Sequence, residues 1–147
     1  MNRREFLRRI EVLSAGSLVG SVVLSSGCIG FHYVNTTMEG NRLVLRKADF
    51  GSSQFVLVDA PGLDLPLYVY RDEAGAYTAV STRCMHRGCQ VEPADGHLVC
   101  PCHGSEYTNT GAVLKGPTQR PLVQFPVAVE PDRVLIELVP RERAAGL

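Results

Sequence analysis

Two six-residue segments, Cys84-Met85-His86-Arg87-Gly88-Cys89 and Cys100-Pro101-Cys102-His103-Gly104-Ser105, bound the stretch that decides how this chain is read. Each sets one Cys and one His at short, fixed spacing, with a further Cys beside them. Two thiolates and two imidazoles suit zinc or an iron–sulfur centre. Structural zinc usually pairs Cys with Cys and His with His along the chain, at C-x₂₋₄-C and H-x₃₋₅-H spacing. Here Cys-x-His and Cys-x-x-His alternate instead.

Outward from these segments, no long stretch from Arg42 onward repeats at helical spacing. Short β-branched or aromatic runs separated by turn residues predict strands over Arg42–Leu45, Gln54–Val58, Leu67–Tyr70, Tyr77–Ser81, His97–Val99, Ala112–Leu114, Val123–Val129 and Val134–Val139. Asp72-Glu73-Ala74-Gly75, Asp95-Gly96 and Pro131-Asp132-Arg133 read as turns. The expected class is all-β, an antiparallel sandwich or small barrel. Tyr68, Tyr70 and Tyr77 read as strand residues packing in the core, and His32 and His97 lack partner spacing.

On Cys84-x-His86-x-Gly88-Cys89 and Cys100-Pro101-Cys102-His103-Gly104-Ser105, the region from about Tyr77 to Val127 resembles the Rieske [2Fe–2S] proteins, whose cluster has Cys₂ on one iron and His₂ on the other. The resemblance implies an antiparallel β-sandwich with a small cluster-binding subdomain, about residues 82–122 of a domain spanning 42–147. It makes Cys84 and Cys100 ligands of the inner iron and His86 and His103 ligands of the outer one. It implies a disulfide between Cys89 and Cys102, a pair that points to the high-potential, quinol-chain type. Such a cross-link contributes about 3 kcal/mol in the chain-entropy model. Ser105 and Tyr107 match the hydroxyls that bond a bridging sulfide and a ligand cysteine. Gly116-Pro117-Thr118-Gln119-Arg120-Pro121-Leu122 resembles the proline loop that walls the cluster. Two ferric ions, two sulfides and two thiolates sum to about zero charge, which favours electron uptake relative to a four-thiolate centre. His103 matches the histidine that contacts quinol, with electron uptake coupled to proton uptake at the outer ring nitrogens. Arg87 departs from the pattern: an aliphatic residue is usual there, and an unpaired charge is costly to bury in an apolar dock.

The first thirty residues read as an address. Asn2-Arg3-Arg4-Glu5-Phe6-Leu7 resembles a twin-arginine export signal, and a mildly apolar segment follows from Val12 to Ile29. Leu24-Ser25-Ser26-Gly27-Cys28 resembles a lipobox, which makes Cys28 a candidate for lipidation; a retained membrane anchor and a released domain are the alternatives. All three place the folded domain outside the cytoplasm, on the periplasmic side of a bacterial inner membrane. Residues 31–41 are polar and read as a linker.

The 147 residues carry 15 basic and 15 acidic side chains, so there is no electrostatic case for nucleic acid. Three functions fit the resemblance. The first is the iron–sulfur subunit of a quinol–cytochrome c reductase, with cytochrome b and a c-type cytochrome as partners. The others are a stand-alone anchored electron carrier and the small subunit of a periplasmic molybdoenzyme resembling arsenite oxidase. A purely structural zinc or disulfide module stays open beside them.

Overall fold

The computed structural model describes residues 31–139. The export segment, Cys28 and the last eight residues lie outside that range. Twelve strands form three four-stranded antiparallel sheets, and a single 3₁₀ turn, Lys47–Phe50, is the one helical element among the described residues. No helix there is long and apolar enough to cross a membrane.

The middle layer is built from β3 (Phe55–Val58), β4 (Leu67–Arg71), β5 (Tyr77–Ser81) and β10 (Gln124–Phe125), in the order β10-β5-β4-β3. Its strands read as near-continuous apolar runs because both faces are covered. Side chains alternate across a strand, and the register sorts them into rows. Val56, Val69, Ala79 and Phe125 align across the sheet, as do Leu57, Tyr68, Val80 and Gln124 on the opposite face. The first row packs in a core with Leu43, Leu45, Val134 and Ile136. These come from the outer sheet β1-β2-β12-β11, in which β2 (Arg42–Arg46) and β12 (Arg133–Glu137) run side by side between β1 (Thr37–Glu39) and β11 (Val127–Val129). Leu57, Tyr68 and Val80 pack in a second core with Cys84, Val91, Leu98, Cys100, Tyr107 and Leu122. The two candidate thiol donors are thus tied into the hydrophobic interior.

That second core is completed by the third sheet, β6 (Glu92–Ala94), β7 (His97–Val99), β8 (Glu106–Thr108) and β9 (Val113–Lys115), hydrogen-bonded in sequence order. The first Cys/His segment connects β5 to β6, and the second connects β7 to β8. Because the start of β6 pairs with the end of β7, the crossing from the middle sheet and the β7–β8 connection present both segments at one end of this small sheet.

Several boundaries differ from the sequence reading for identifiable reasons. Residues 31–41 are not simply a linker: Thr37–Glu39 pairs with β2, and Tyr33 bridges Leu57 in parallel. A three-residue exposed edge strand leaves no burial pattern to read. The expected strand over Val123–Val129 is divided at Pro126, where the chain leaves the middle sheet as β10 and enters the outer sheet as β11. Proline has no N–H to continue a ladder, and its position marks the crossing. Strands β6 and β8 were not expected; the first contains Pro93, which argues against a strand in sequence. The three turns lie where the sequence puts them. In the β4–β5 turn the Asp72 carboxylate accepts from the Ala76 amide at 2.8 Å, and Gly75 takes φ 81°.

Candidate metal centre

The two segments have one backbone design. In the first, the Cys84 amide donates to the Cys89 carbonyl and the Gly88 amide to the Cys84 carbonyl, both at 2.8 Å. In the second, the Cys100 amide donates to the Ser105 carbonyl at 2.8 Å and the Gly104 amide to the Cys100 carbonyl at 2.9 Å. The offsets are the same, five residues and four. Each loop closes through a glycine with positive φ, 82° at Gly88 and 73° at Gly104, a region that costs an L-residue roughly 1–2 kcal/mol. Equivalent positions of the two loops therefore hold Cys84 and Cys100, both buried and free of disulfides.

A disulfide between Cys89 and Cys102 joins the loops. The sulfurs of Cys89, Cys100 and Cys102 lie within 4.8 Å of one another. They are not a ligand set, because two of them are consumed in that bond and only Cys100 can ionise. The donors that remain are two thiols and two imidazoles. The rings of His86 and His103 stand edge to face with centroids 4.8 Å apart. His86 is half-buried and His103 is exposed. The Nδ1 atom of His86 is buried and has no hydrogen-bond partner. An orphaned buried ring nitrogen costs free energy unless something coordinates it. In the same loop as the buried thiol of Cys84, it has the chemistry of a ligand to a thiophilic metal centre.

The hydroxyls around the thiols are oriented by the backbone. The Met85 amide donates to the Tyr107 hydroxyl oxygen at 3.2 Å, which leaves the single phenolic proton for Cys84 Sγ, 3.3 Å away. Burial and the adjacent Cys84 push the Tyr107 hydroxyl up, so it keeps that proton. Burial also pushes the Cys84 thiol up, but the Tyr107 hydroxyl, the loop amides of His86 and Arg87, and Cys100 together bring it below its ordinary value. Cys100 is pushed up, by burial and by Cys84. In the second loop the Thr118 amide donates to Ser105 Oγ at 3.2 Å. The fully buried Ser105 hydroxyl then has a proton with no protein acceptor among the described residues.

Residues 116–122 lie across both loops. Thr118 contacts Ser105, and Arg120 Nη2 donates to the Met85 carbonyl at 3.0 Å. The Arg120 N–H in turn donates to Thr118 Oγ1, closing a local turn. The sequence picked out this loop as a wall but gave Thr118 and Arg120 no part in it. Their contacts are made by a main-chain amide and to a main-chain carbonyl, so no spacing pattern reveals them. Of the tyrosines expected in the core, Tyr68 is buried, with its hydroxyl donating to Asn109 at 2.9 Å, while Tyr70 and Tyr77 are half-buried. His32 is exposed, and His97 lies 3.9 Å from Glu106 in the small sheet.

The family model of the Rieske [2Fe-2S] domain matches residues 36–126, more than half of the chain. The chain belongs to the Rieske [2Fe–2S] family: it is an electron-transfer protein that binds a [2Fe–2S] cluster, and its paired Cys89 and Cys102 make it one of the disulfide-containing type. A cytochrome b6-f complex iron-sulfur subunit of Synechococcus elongatus is 31% identical over 153 residues, covering 92% of this chain and 84% of the relative. The subunit of the same name from Chlorobaculum thiosulfatiphilum is 43% identical over 67 residues, covering 44% of this chain and 37% of the relative. The subunit from Prochlorococcus marinus is 31% identical, with 84% of this chain and 61% of the relative covered. The chain thus spans 37% to 61% of the length of several curated relatives. Among solved structures, the cyanobacterial plasma membrane Rieske protein from Synechocystis PCC 6803 superposes with a TM-score of 0.55 at 35% identity, over 62% of this chain and 93% of that one.

Proposed function

We propose that Cys84 and Cys100 hold the inner iron and His86 and His103 the outer one, in a protein serving as the iron–sulfur subunit of a quinol-oxidising, cytochrome bc-type complex. The observation that carries the ligand assignment is the buried, unpartnered Nδ1 of His86, whose ring stands against a second imidazole, on a pair of disulfide-joined loops that each bury a free thiol. When bound, the cluster accepts and releases one electron. The chain's own residues set the conditions for it. The second core keeps water from Cys84 and Cys100. Tyr107 keeps its proton and donates a hydrogen bond to Cys84 Sγ, and the Ser105 hydroxyl has a hydrogen bond that it could donate to sulfur of a bound cluster; hydrogen bonds of this kind raise the potential of a centre. Arg120 ties the proline loop to the first segment. His103, the more exposed of the two rings, is the candidate quinol contact.

In this reading residues 1–30 are a twin-arginine signal or anchor, with Cys28 as the lipid site if it is lipidated, and the Rieske domain, which takes in β1 ahead of the expected start at residue 42, lies on the periplasmic side of the inner membrane. An electron from quinol passes to a c-type cytochrome, with cytochrome b as the neighbour. The relationship to cytochrome b6-f subunits over most of the chain supports the complex. One observation favours the second reading, a stand-alone anchored carrier: Arg87 is exposed, and its side chain makes no hydrogen bond or ion pair among the described residues. Purification from native membranes tests the choice. Co-purification of a b-type cytochrome is expected. Recovery of the cluster-bearing protein alone, or with a molybdopterin subunit, would remove the bc-type assignment.

A further inference from the structure

The chain as a whole is electrically balanced, but the end that carries the imidazoles is not. Residues 83–90, 100–105 and 116–122 contain Arg83, Arg87 and Arg120 and no acidic residue. All three arginines are exposed, and the fold gathers them. Arg120 reaches the Met85 carbonyl at 3.0 Å. The Arg83 guanidinium lies against Gly88, 3.3 Å from where a Cβ would stand. Arg87 sits in the same loop, between His86 and Gly88, and the disulfide fixes that loop to the one carrying His103. Among the described residues the one ion pair made by any of the three joins Arg83 to Asp64, at 3.6 Å. The Asp64 side chain is 91% exposed, so water screens most of that compensation.

We propose that this tip docks on an acidic protein face, with carboxylates meeting Arg83, Arg87 and Arg120 around the paired histidines. The proposal rests on the reading of His86 and His103 as cluster ligands. An oxidised centre with two thiolates is about neutral, so the guanidinium groups set the sign of the surface. An apolar dock would bury Arg87 without a partner, whereas carboxylates supply charge-assisted, bidentate bonds and steer encounter. Anionic lipid headgroups offer similar charge, but they exchange no electron, and the imidazoles lie inside the patch.

The test uses the full chain, cluster-loaded and in detergent. Binding is measured by calorimetry against two zinc-porphyrin c-type cytochromes, one with an acidic haem face and one with a basic face. Preferential binding of the acidic cytochrome is expected, weakening about tenfold between about 50 mM and about 200 mM salt. Arg87→Glu should weaken it about tenfold or more, and Arg87→Lys should stay within about twofold of the parent. Equal binding of the two cytochromes, or indifference to Arg87→Glu, would overturn the proposal. So would an Arg87→Glu protein that loses affinity for phosphatidylglycerol vesicles but not for the acidic cytochrome. Iron content and the visible spectrum of the same samples separate the two levels. An iron-free protein refutes the ligand reading and the docking with it, while a loaded protein blind to charge refutes the docking alone.

Discussion

The two Cys/His loops share a backbone and differ in almost everything hung on it. Both close with the same pair of amide–carbonyl bonds and the same left-handed glycine. Yet the first is flanked by arginines and has a half-buried histidine, and the second has an exposed histidine and a buried serine. Their hydroxyl donors come from different places: Tyr107 reaches across from β8 to serve the first loop, while Ser105 closes the second from within. The shared frame fixes where two sulfurs and two rings can be, and in the proposed assignment it answers to the cofactor. What differs between the loops answers to potential and partner.

If the frame is truly shared, its sulfurs should be equally indispensable. Cys84→Ser and Cys100→Ser are each expected to abolish the cluster's visible and paramagnetic signals. A variant that retained an ordinary Rieske spectrum would break the equivalence and the ligand assignment with it. Joining the loops is a smaller matter. The bond between Cys89 and Cys102 spans a sequence separation of 13, and a loop of that size corresponds to about 3 kcal/mol in the chain-entropy model. Cys89→Ser combined with Cys102→Ser should therefore lower the unfolding midpoint of the loaded protein, read at a fixed heating rate, while the cluster still assembles. An unchanged midpoint would mean that the two cores already hold the loops together.

Much of this was legible before the structure because the chemistry is local. Cys84, His86, Cys100 and His103, the proposed ligands, stand out by spacing, and the middle strands by β-branched runs such as Phe55–Val58. What stayed hidden has a physical reason in each case. β1 and β6 are three-residue, largely exposed strands, too short for any alternation to register in the sequence. The break at Pro126 shows as a proline, but the exchange of sheets that makes it useful is a property of the assembled fold. That both faces of the middle sheet are covered follows from its neighbours. The amide of Thr118 and the guanidinium of Arg120 act on the site through backbone groups that every residue possesses.

The hydroxyls sharpen the comparison at the next level down. Tyr107→Phe and Ser105→Ala each remove one proton donor without touching a ligand. Both should retain the cluster and lower its reduction potential. A hydrogen bond that favours the reduced state by about 1–2 kcal/mol corresponds to about 40–90 mV for one electron. Redox titration of each variant measures the shift. An unchanged potential in Ser105→Ala would remove the role given to its unassigned proton and leave Tyr107 as the tuning hydroxyl.

The smallest effect concerns the glycines. Both take positive φ, so alanine should cost each loop about 1–2 kcal/mol for the left-handed backbone. Their surroundings differ: a Cβ on Gly104 meets nothing within 4 Å, whereas one on Gly88 meets the Arg83 guanidinium at 3.3–3.5 Å. Gly88→Ala should therefore lower the unfolding midpoint slightly more than Gly104→Ala, by whatever it costs that flexible side chain to move. In an Arg83→Ala background the gap should close. A gap that persisted there would mean that the two loops are not equivalent even in their backbones, because the excess would then arise from the turn and not from the arginine lying on it.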